Sequence, residues 1–273
     1  MAIITISREV AAFGDEVAEE LAKQLNYKFV KRTDIEKRII ELGFPQEKMP
    51  KYDERKPGFF ASLAKDRDEY INYLQYAILE AAAQENVIII GRGAFVVLQN
   101  VPNNISVRLI SPEAIRLQRL EKEFSWDEKQ AKQRIQESDM NRDGFHKSFY
   151  NVDLKDSSYF HLVLNTGLID VPTSAKIISS VVSSSVDEKK ETEGKKIIEN
   201  MLKSQEIVNK LIFKYKLNIE FIHGVIEDNT FILQGISDSI VAVENAIRII
   251  KQELPNYEVK SSVGIVHDFK TFQ

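Results

Sequence analysis

The sequence predicts an α/β protein in two parts: a parallel sheet with helices on both faces, followed by a small α+β domain. Short apolar runs rich in β-branched residues are typical of buried strands, and they lie at residues 3–6, 87–90, 105–110 and 161–165. Segments with helical spacing fill the intervals between them. Because strands that alternate with helices form parallel sheets covered on both faces, we expect that architecture for the first part.

The helices of the first part follow from apolar residues at spacings of three and four. They are predicted at residues 17–25, 33–42, 66–84, 113–122, 126–140 and 171–182. Ser111 is suited to cap the fourth of these, with Pro112 at the helix start. Residues 43–58 hold three prolines and two glycines, so a loop is predicted there.

A change of composition marks the boundary between the two parts. Serines and then charged residues dominate residues 179–196. We therefore predict a first domain over residues 1–182, a linker over 183–196 and a second domain over 197–273. In the second domain the order is α-β-β-α-β, and Ser237 is predicted to cap its second helix.

Composition excludes several classes of function. The chain has 273 residues and no cysteine, which excludes disulfides and thiolate metal sites. Its net charge is −4, and neither half is basic, so generic binding to nucleic-acid backbones is not favoured. No apolar run approaches the roughly 18 residues that a membrane-spanning helix needs. Because the N-terminus also lacks the pattern of a signal peptide, we expect a cytoplasmic protein.

Polar residues follow the predicted strands, where parallel sheets bind their ligands. Three segments occupy these positions: Ser7-Arg8-Glu9, Gly91-Arg92-Gly93 and Asn165-Thr166. Arginines suit phosphate because the guanidinium fork matches two phosphate oxygens at once. No histidine has the spacing of a metal ligand, so no metal-binding residue is assigned.

Taken in order, these motifs resemble the cytidylate kinase-like family of P-loop nucleoside monophosphate kinases over about residues 1–180. The resemblance is carried by Ser7-Arg8-Glu9, Gly91-Arg92-Gly93-Ala94, Ser111-Pro112-Glu113 with Arg116 and Arg119, Asp139-Met140-Asn141-Arg142, and Leu164-Asn165-Thr166. It implies phosphoryl transfer from ATP, with Mg²⁺, to a nucleoside monophosphate, with CMP as the first candidate acceptor.

The resemblance also implies roles for particular residues. Catalytic contacts to the transferred phosphate or to a lid would come from Arg116, Arg119 and Arg142. Contacts to the acceptor would come from Gly91, Arg92, Gly93, Asp139 and Asp34. The residues themselves leave simpler alternatives open: Arg116 and Arg119 as a solvated helix face, Asp139 with Arg142 as a local ion pair, and Gly91-Arg92-Gly93 as only a turn after a strand.

The phosphate loop departs from the family pattern. Residues 11–15 are Ala-Ala-Phe-Gly-Asp, where the family has a glycine-rich loop with an arginine, and only Gly14 is retained. Alanine and phenylalanine disfavour positive φ. Asp15 and Glu16 then open a helix whose N-terminus would otherwise attract an anion, so we predict a loop capped by its own carboxylates.

Three functions therefore remain open, and the chain is only provisionally an enzyme. The first is a nucleoside monophosphate kinase. The second is a degenerate kinase, or pseudokinase, that senses a nucleotide or acts as a scaffold. The third is an interaction protein that binds no nucleotide. The second domain resembles a BON-type module, which implies membrane or ligand binding. The alternative is a dimerisation or regulatory domain with a homo-oligomer or another protein as its partner. A KH-type RNA module is disfavoured because no Gly-x-x-Gly loop is present.

Overall fold

The computed structural model describes residues 2–52 and 67–266, and the chain divides into two compact units between Lys195 and Lys196. Part of the predicted loop over residues 43–58 lies outside the described residues. The remainder includes a 3₁₀ helix, Gln46–Tyr52. None of the helices in the described ranges combines the length and the hydropathy needed to cross a membrane.

A parallel sheet of five strands organises the first unit. The strands are β1 (Ile3–Arg8), β2 (Lys28–Val30), β3 (Val87–Ile90), β4 (Asn104–Ile110) and β5 (Leu162–Asn165). Their order is β2-β3-β1-β4-β5, with every neighbouring pair parallel. The predicted parallel sheet is confirmed, and β2 is a strand that the sequence did not predict.

The helices of the described residues are numbered in chain order. They are α1 (Gly14–Leu25), α2 (Arg32–Glu41), α3 (Arg67–Ala82), α4 (Ala94–Val97), α5 (Glu113–Phe124), α6 (Glu128–Tyr150), α7 (Val171–Ser185), α8 (Glu188–Asn209) and α9 (Ile240–Glu253). The segment predicted as a linker, 183–196, is helical for most of its length, because α7 ends and α8 begins within it.

The central strand β1 is buried along its whole length and forms the middle of the core. Ile6 pairs with Ile90 of β3 on one side and with Val107 of β4 on the other. Helices α1 and α7 both pack on this core through residues at helical spacing: Val17, Ala18, Leu21, Ala175, Ile178 and Val182. Each large aliphatic side chain buried there contributes roughly 1.5–3 kcal/mol.

Helix α6 is longer than the sequence predicts, because it continues from residue 140 to Tyr150. Its start is fixed by a capping box between Asp127 and Gln130. Its last turns are held by buried aromatic residues, among which Phe145 and Phe149 lie 4.8 Å apart between ring centroids. These packing contacts outweigh the weak helical pattern of the polar segment.

The second unit contains a three-stranded sheet with the predicted order of elements. Strands β6 (Glu220–Glu227) and β7 (Thr230–Ser237) form an antiparallel hairpin, and β8 (Glu258–Ile265) is parallel to β7. Helix α9 begins after Ser239, whose side chain accepts a hydrogen bond from the amide of Ala242. The predicted cap, Ser237, is instead the last residue of β7, so that prediction is wrong.

Candidate functional site

A cleft of about 930 Å³ opens beyond the carboxyl ends of β1 and β2. From β1 the chain passes to β2 and β3 on one side of the sheet, then crosses to β4 and β5 on the other side. Parallel sheets bind ligands where the strand order reverses in this way. The cleft is lined by the loop after β1, by residues 31–33 after β2, and by parts of α5, α6 and the turn between them.

The lining of the cleft carries charges of both signs. Its basic side chains are Arg8, Lys31, Arg32, Arg119, Arg134 and Arg142. Its carboxylates are Glu9, Asp15, Glu16, Glu123 and Glu137. A cluster of guanidinium groups from several elements is suited to a polyanionic ligand such as a phosphate chain.

The loop after β1 adopts the backbone shape that its residue types disfavour. Ala11 and Phe13 both have positive φ, at 56° and 54°. A left-handed conformation costs a residue other than glycine about 1–2 kcal/mol. The loop therefore keeps a folded turn without the glycines that normally allow one.

Arg119 of α5 holds this loop in place. Its guanidinium carbon lies 3.7 Å from the centre of the Phe13 ring, and it donates to the carbonyl oxygen of Ala11 at 2.8 Å. It also donates to the carbonyl oxygen of Thr166 at 2.5 Å, and the Thr166 hydroxyl donates to the carbonyl oxygen of Ala12 at 3.1 Å. These contacts, which join the loop to the end of β5, offset the cost of its conformation.

The first turn of α1 contains Asp15 and Glu16, as predicted, but Phe13 at the N-cap makes no side-chain capping bond. Partial removal from water raises the pKa of Glu16, and the charge of Asp15 raises it further, although a bond to its own backbone opposes the shift. Gly14 is in close contact with Arg8, since a β-carbon on Gly14 would lie 2.5 Å from Cγ of Arg8.

Arg116 is buried and joins two carboxylates, so the solvated-face alternative is wrong for this residue. Only 4% of it is exposed. It donates to both oxygens of Asp139, at 3.2 and 2.6 Å, and lies 3.2 Å from Glu9. Glu9 in turn accepts the amide of Ser111 at 3.0 Å. Burial raises the pKa of Asp139, although Arg116 opposes that shift.

Arg142 lies one turn from Asp139 on α6, and it donates a hydrogen bond to the hydroxyl of Ser138 at 2.8 Å. It lines the cleft together with Arg8, and both also line a smaller cavity of about 70 Å³. That cavity includes Arg108, whose pKa is lowered by burial and which donates to the Ser7 hydroxyl at 3.0 Å. Sequence reasoning missed Arg108, although an arginine inside an apolar strand is itself a signal.

The predicted acceptor segment after β3 lies outside the cleft lining. Arg92 is only 1% exposed and donates to Glu36, to the carbonyl oxygen of Tyr52 and to the hydroxyl of Tyr70. Gly91 and Gly93, on either side of it, both have positive φ.

Glu36, which the sequence analysis did not single out, also pairs with Arg32 at 2.7 Å. Arg32 lines the cleft, so Glu36 connects the buried Arg92 with the cleft wall. Asp34, another predicted acceptor contact, is exposed and accepts the amide of Lys31 at the start of α2. It is not among the lining residues.

Comparison with known proteins finds similar sequences and structures for the first part of the chain. A model of the cytidylate kinase-like family matches residues 3–168. A cytidylate kinase from Methanocaldococcus jannaschii is 28% identical over 183 residues, which cover 66% of this chain and 97% of the relative. Among solved structures, an uncharacterized protein from Eubacterium ventriosum aligns with a TM-score of 0.52 at 24% identity, covering 67% of this chain and 99% of that one. A shikimate kinase from Acinetobacter baumannii aligns with a TM-score of 0.41 at 16% identity, over 68% and 96% of the two chains.

Proposed function

The chain belongs to the cytidylate kinase-like family, and from that premise we propose that it transfers a phosphoryl group from ATP to a nucleoside monophosphate, with CMP the first acceptor to test. The observation that carries the proposal is the position of the cleft, which lies at the carboxyl ends of β1 and β2 and collects arginines from separate elements. A protein that handles ATP and nucleoside monophosphates would act in the cytoplasm.

Phosphoryl transfer requires little covalent work from the protein, because positioning and positive charge provide most of the catalysis. Arg119 and Arg142 line the cleft from α5 and α6, and we assign to them the contacts with the transferred phosphoryl group. Arg116 is a positioning residue in this scheme. It holds Glu9 at the end of β1 and Asp139 on α6, one turn before Arg142.

The residues of the cleft fit the phosphates of ATP better than they fit a metal ion alone. Across residues 2–52 and 67–266, no group of three histidine, aspartate or glutamate side chains is arranged to hold a metal. Mg²⁺ is commonly held by phosphate oxygens with one or two carboxylates, and Glu9 and Asp15 are carboxylates on the lining. When bound, Mg²⁺ would neutralise charge on the phosphates.

For the acceptor we propose two kinds of contribution. Asp139 lies on the smaller cavity beside Arg142, where it can meet the acceptor nucleotide. Arg92, between Gly91 and Gly93, contributes indirectly. It is paired with Glu36, and Glu36 is paired with Arg32 of the cleft lining. Asp34 contributes by fixing the start of α2, which carries Arg32.

The test is a phosphoryl-transfer assay on the purified protein with ATP, Mg²⁺ and each nucleoside monophosphate in turn. We expect a nucleoside diphosphate product, with CMP the best acceptor, and loss of most activity in Arg142→Ala. Lys132→Ala, on the exposed side of the same helix, is the matched control and should keep its activity. Absence of product with every acceptor, from folded protein, would refute the proposal.

A second function is favoured by one observation, the carboxylates Asp15 and Glu16 on a loop that Arg119 already binds. We propose it as the alternative: a protein that binds nucleotide without transferring phosphate, as a sensor or scaffold. Calorimetry and the transfer assay together separate the two, because a sensor binds ATP in the calorimeter and yields no product in the assay. Formation of a nucleoside diphosphate by the purified protein would rule this alternative out.

We propose that residues 197–273 form a separate domain that serves as an interaction module, with a second copy, another protein or a membrane surface as its partner. Its support is the division of the chain near Lys195 and the module's own core around Phe231 and Leu233. Light scattering after size-exclusion chromatography tests self-association, and vesicle sedimentation tests membrane binding. A monomer that binds neither vesicles nor protein would count against this role.

A further inference from the structure

Two aromatic side chains form a stacked pair on the wall of the cleft. The rings of Phe124 and Trp126 have centroids 4.6 Å apart and planes 22° from parallel. Both residues line the cleft. Trp126 is the only tryptophan of the chain, and none of the proposed roles above uses either residue.

The two rings differ in burial: Trp126 packs against buried residues, and Phe124 is exposed to solvent. Trp126 packs against a buried cluster formed by Leu120, Ala131 and Ile135. Phe124 is not part of that cluster, and 49% of it is exposed. A single exposed phenylalanine is unremarkable on a protein surface. A phenylalanine stacked on a supported indole, beside charged groups in a cleft, is suited to receive a flat ligand.

The local backbone fixes this arrangement. Phe124 is the last residue of α5, and Ser125 reverses the chain in a left-handed conformation with φ of 54°. Asp127 then caps α6. Because two helix ends flank the pair, Phe124 keeps its place on the wall without being packed into the core.

We propose that Phe124 is the stacking platform for the base of the phosphate-donor nucleotide, with Trp126 as its support. The inference rests on the proposed function, in which the cleft holds a nucleotide whose phosphates reach the loop after β1. Aromatic side chains stack on bases of any sequence, because every base has a π-face. A purine, with two fused rings, covers the platform more fully than a pyrimidine.

Helix α5 connects the platform with the phosphate loop. Arg119, which binds the carbonyl oxygen of Ala11, precedes Phe124 by five residues, which is about 7.5 Å along the helix axis. That separation suits a nucleotide with its base at Phe124 and its phosphates near Arg119. Arg134 and Glu137 of α6 line the same cleft and offer a donor and an acceptor to the edge of the base.

The experiment compares ATP with inorganic tripolyphosphate, which has the phosphates but no base. Calorimetry gives both dissociation constants for the full chain, for Phe124→Ala and for Lys122→Ala, an exposed control in the last turn of α5. We expect Phe124→Ala to weaken ATP binding about tenfold or more and to leave tripolyphosphate binding unchanged. Lys122→Ala should bind both as the parent does, and Phe124→Tyr should keep most of the ATP affinity.

Trp126 provides an independent readout. It is the only tryptophan in the sequence, so a change in tryptophan fluorescence reports a change in the surroundings of Trp126. ATP should change that fluorescence and tripolyphosphate should not.

If ATP binds but Phe124→Ala lowers both affinities equally, or neither, the inference is overturned and the proposed function stands. If the folded parent protein does not bind ATP, the proposed function and the inference fail together.

Discussion

The guanidinium group of Arg119 lies over the ring of Phe13, with 3.7 Å between its central carbon and the ring centre. Phe13 occupies a loop position where the related kinases are expected to have glycine. The same guanidinium binds the carbonyl oxygens of Ala11 and Thr166. One arginine thus fixes a loop in which Ala11 and Phe13 are left-handed without being glycine, and it does so at the wall of the candidate cleft.

Arg119→Ala should destabilise the protein because it removes the contact with Phe13 together with hydrogen bonds to two carbonyl oxygens. A cation over an aromatic ring contributes about 0.5–1 kcal/mol, and each hydrogen bond about 1 kcal/mol. We expect the free energy of unfolding, measured in urea, to fall by about 2–3 kcal/mol. Arg119→Lys should be intermediate. An equal fall in Lys122→Ala, on the exposed side of α5, would contradict this account.

Arg116→Ala should be more damaging, because it leaves Glu9 and Asp139 partly buried without their shared cation. Breaking a buried ion pair by removing one partner costs about 3–5 kcal/mol, and solvent access to the two carboxylates places the expected loss near 3 kcal/mol.

The double variant Arg116→Ala/Asp139→Asn tests the cause of that loss. It should recover part of the lost stability, because one of the uncompensated charges is gone. The measurement is chemical denaturation at neutral pH. A double variant no more stable than Arg116→Ala would show that charge is not the cause.

Glu16→Gln should change how stability depends on pH. The pKa of Glu16 is raised from 4.5, mainly by partial removal from water and also by Asp15. The folded protein therefore holds this proton more tightly than the unfolded chain, so the free energy of unfolding falls as pH rises from 4.5 through the raised pKa.

The Glu16→Gln variant loses that dependence. It should be more stable than the parent above the raised pKa, and the difference should disappear below pH 4.5. Urea midpoints from pH 4 to pH 8 measure it, with Glu20→Gln on the same helix as the control. A constant difference across the range would contradict the assignment.

Gly14→Ala and Gly144→Ala should have opposite effects. A β-carbon at Gly14 would lie 2.5 Å from Cγ of Arg8, so Arg8 must move, and we expect a loss of about 1–3 kcal/mol. A β-carbon at Gly144, inside α6, would meet nothing within 4 Å, and alanine there should add about 0.5–1 kcal/mol. Thermal unfolding of the two variants measures both. A stabilising Gly14→Ala would mean that Arg8 does not confine this position.

Sequence reasoning located the longer strands because their apolar, β-branched runs carry the signal locally. It missed β2, where Lys28–Val30 is short and begins with a charge. That strand forms because Lys28 and Phe29 pair with Val87 and Ile88 of β3, a contact that no local pattern contains. Likewise the end of α6 depends on Phe149, whose ring packs against Tyr52 and Tyr70 from distant segments.

For the candidate site, the sequence indicated the carboxyl edge of the sheet, where the cleft lies, but not the pairing of its charges. Asp139 and Arg142 are three residues apart and suggested a local pair. The hydrogen-bonded partner of Asp139 across the fold is Arg116, 23 residues away, and no spacing in the sequence indicates that pair.

The left-handed backbone at Phe13 was similarly beyond prediction, since propensity argues against it. The contacts with Arg119 that sustain it come from another helix. Which charged residues pair, and where the backbone is strained, depends on contacts between distant segments. A motif can be recognised from a short stretch of sequence alone.

The position of β1 in the sheet has a consequence for how the protein is made. The central strand β1 pairs with Val87–Ile90 and with Asn104–Ile110, which are both synthesised well after it. Its loop is completed only when Thr166 binds the carbonyl oxygen of Ala12. Contacts so distant in sequence form slowly, and β1 leaves the ribosome before the strands that flank it in the sheet have been made. The stretch that leads into the cleft therefore reaches its final form late, and until then an unpaired apolar strand is open to aggregation.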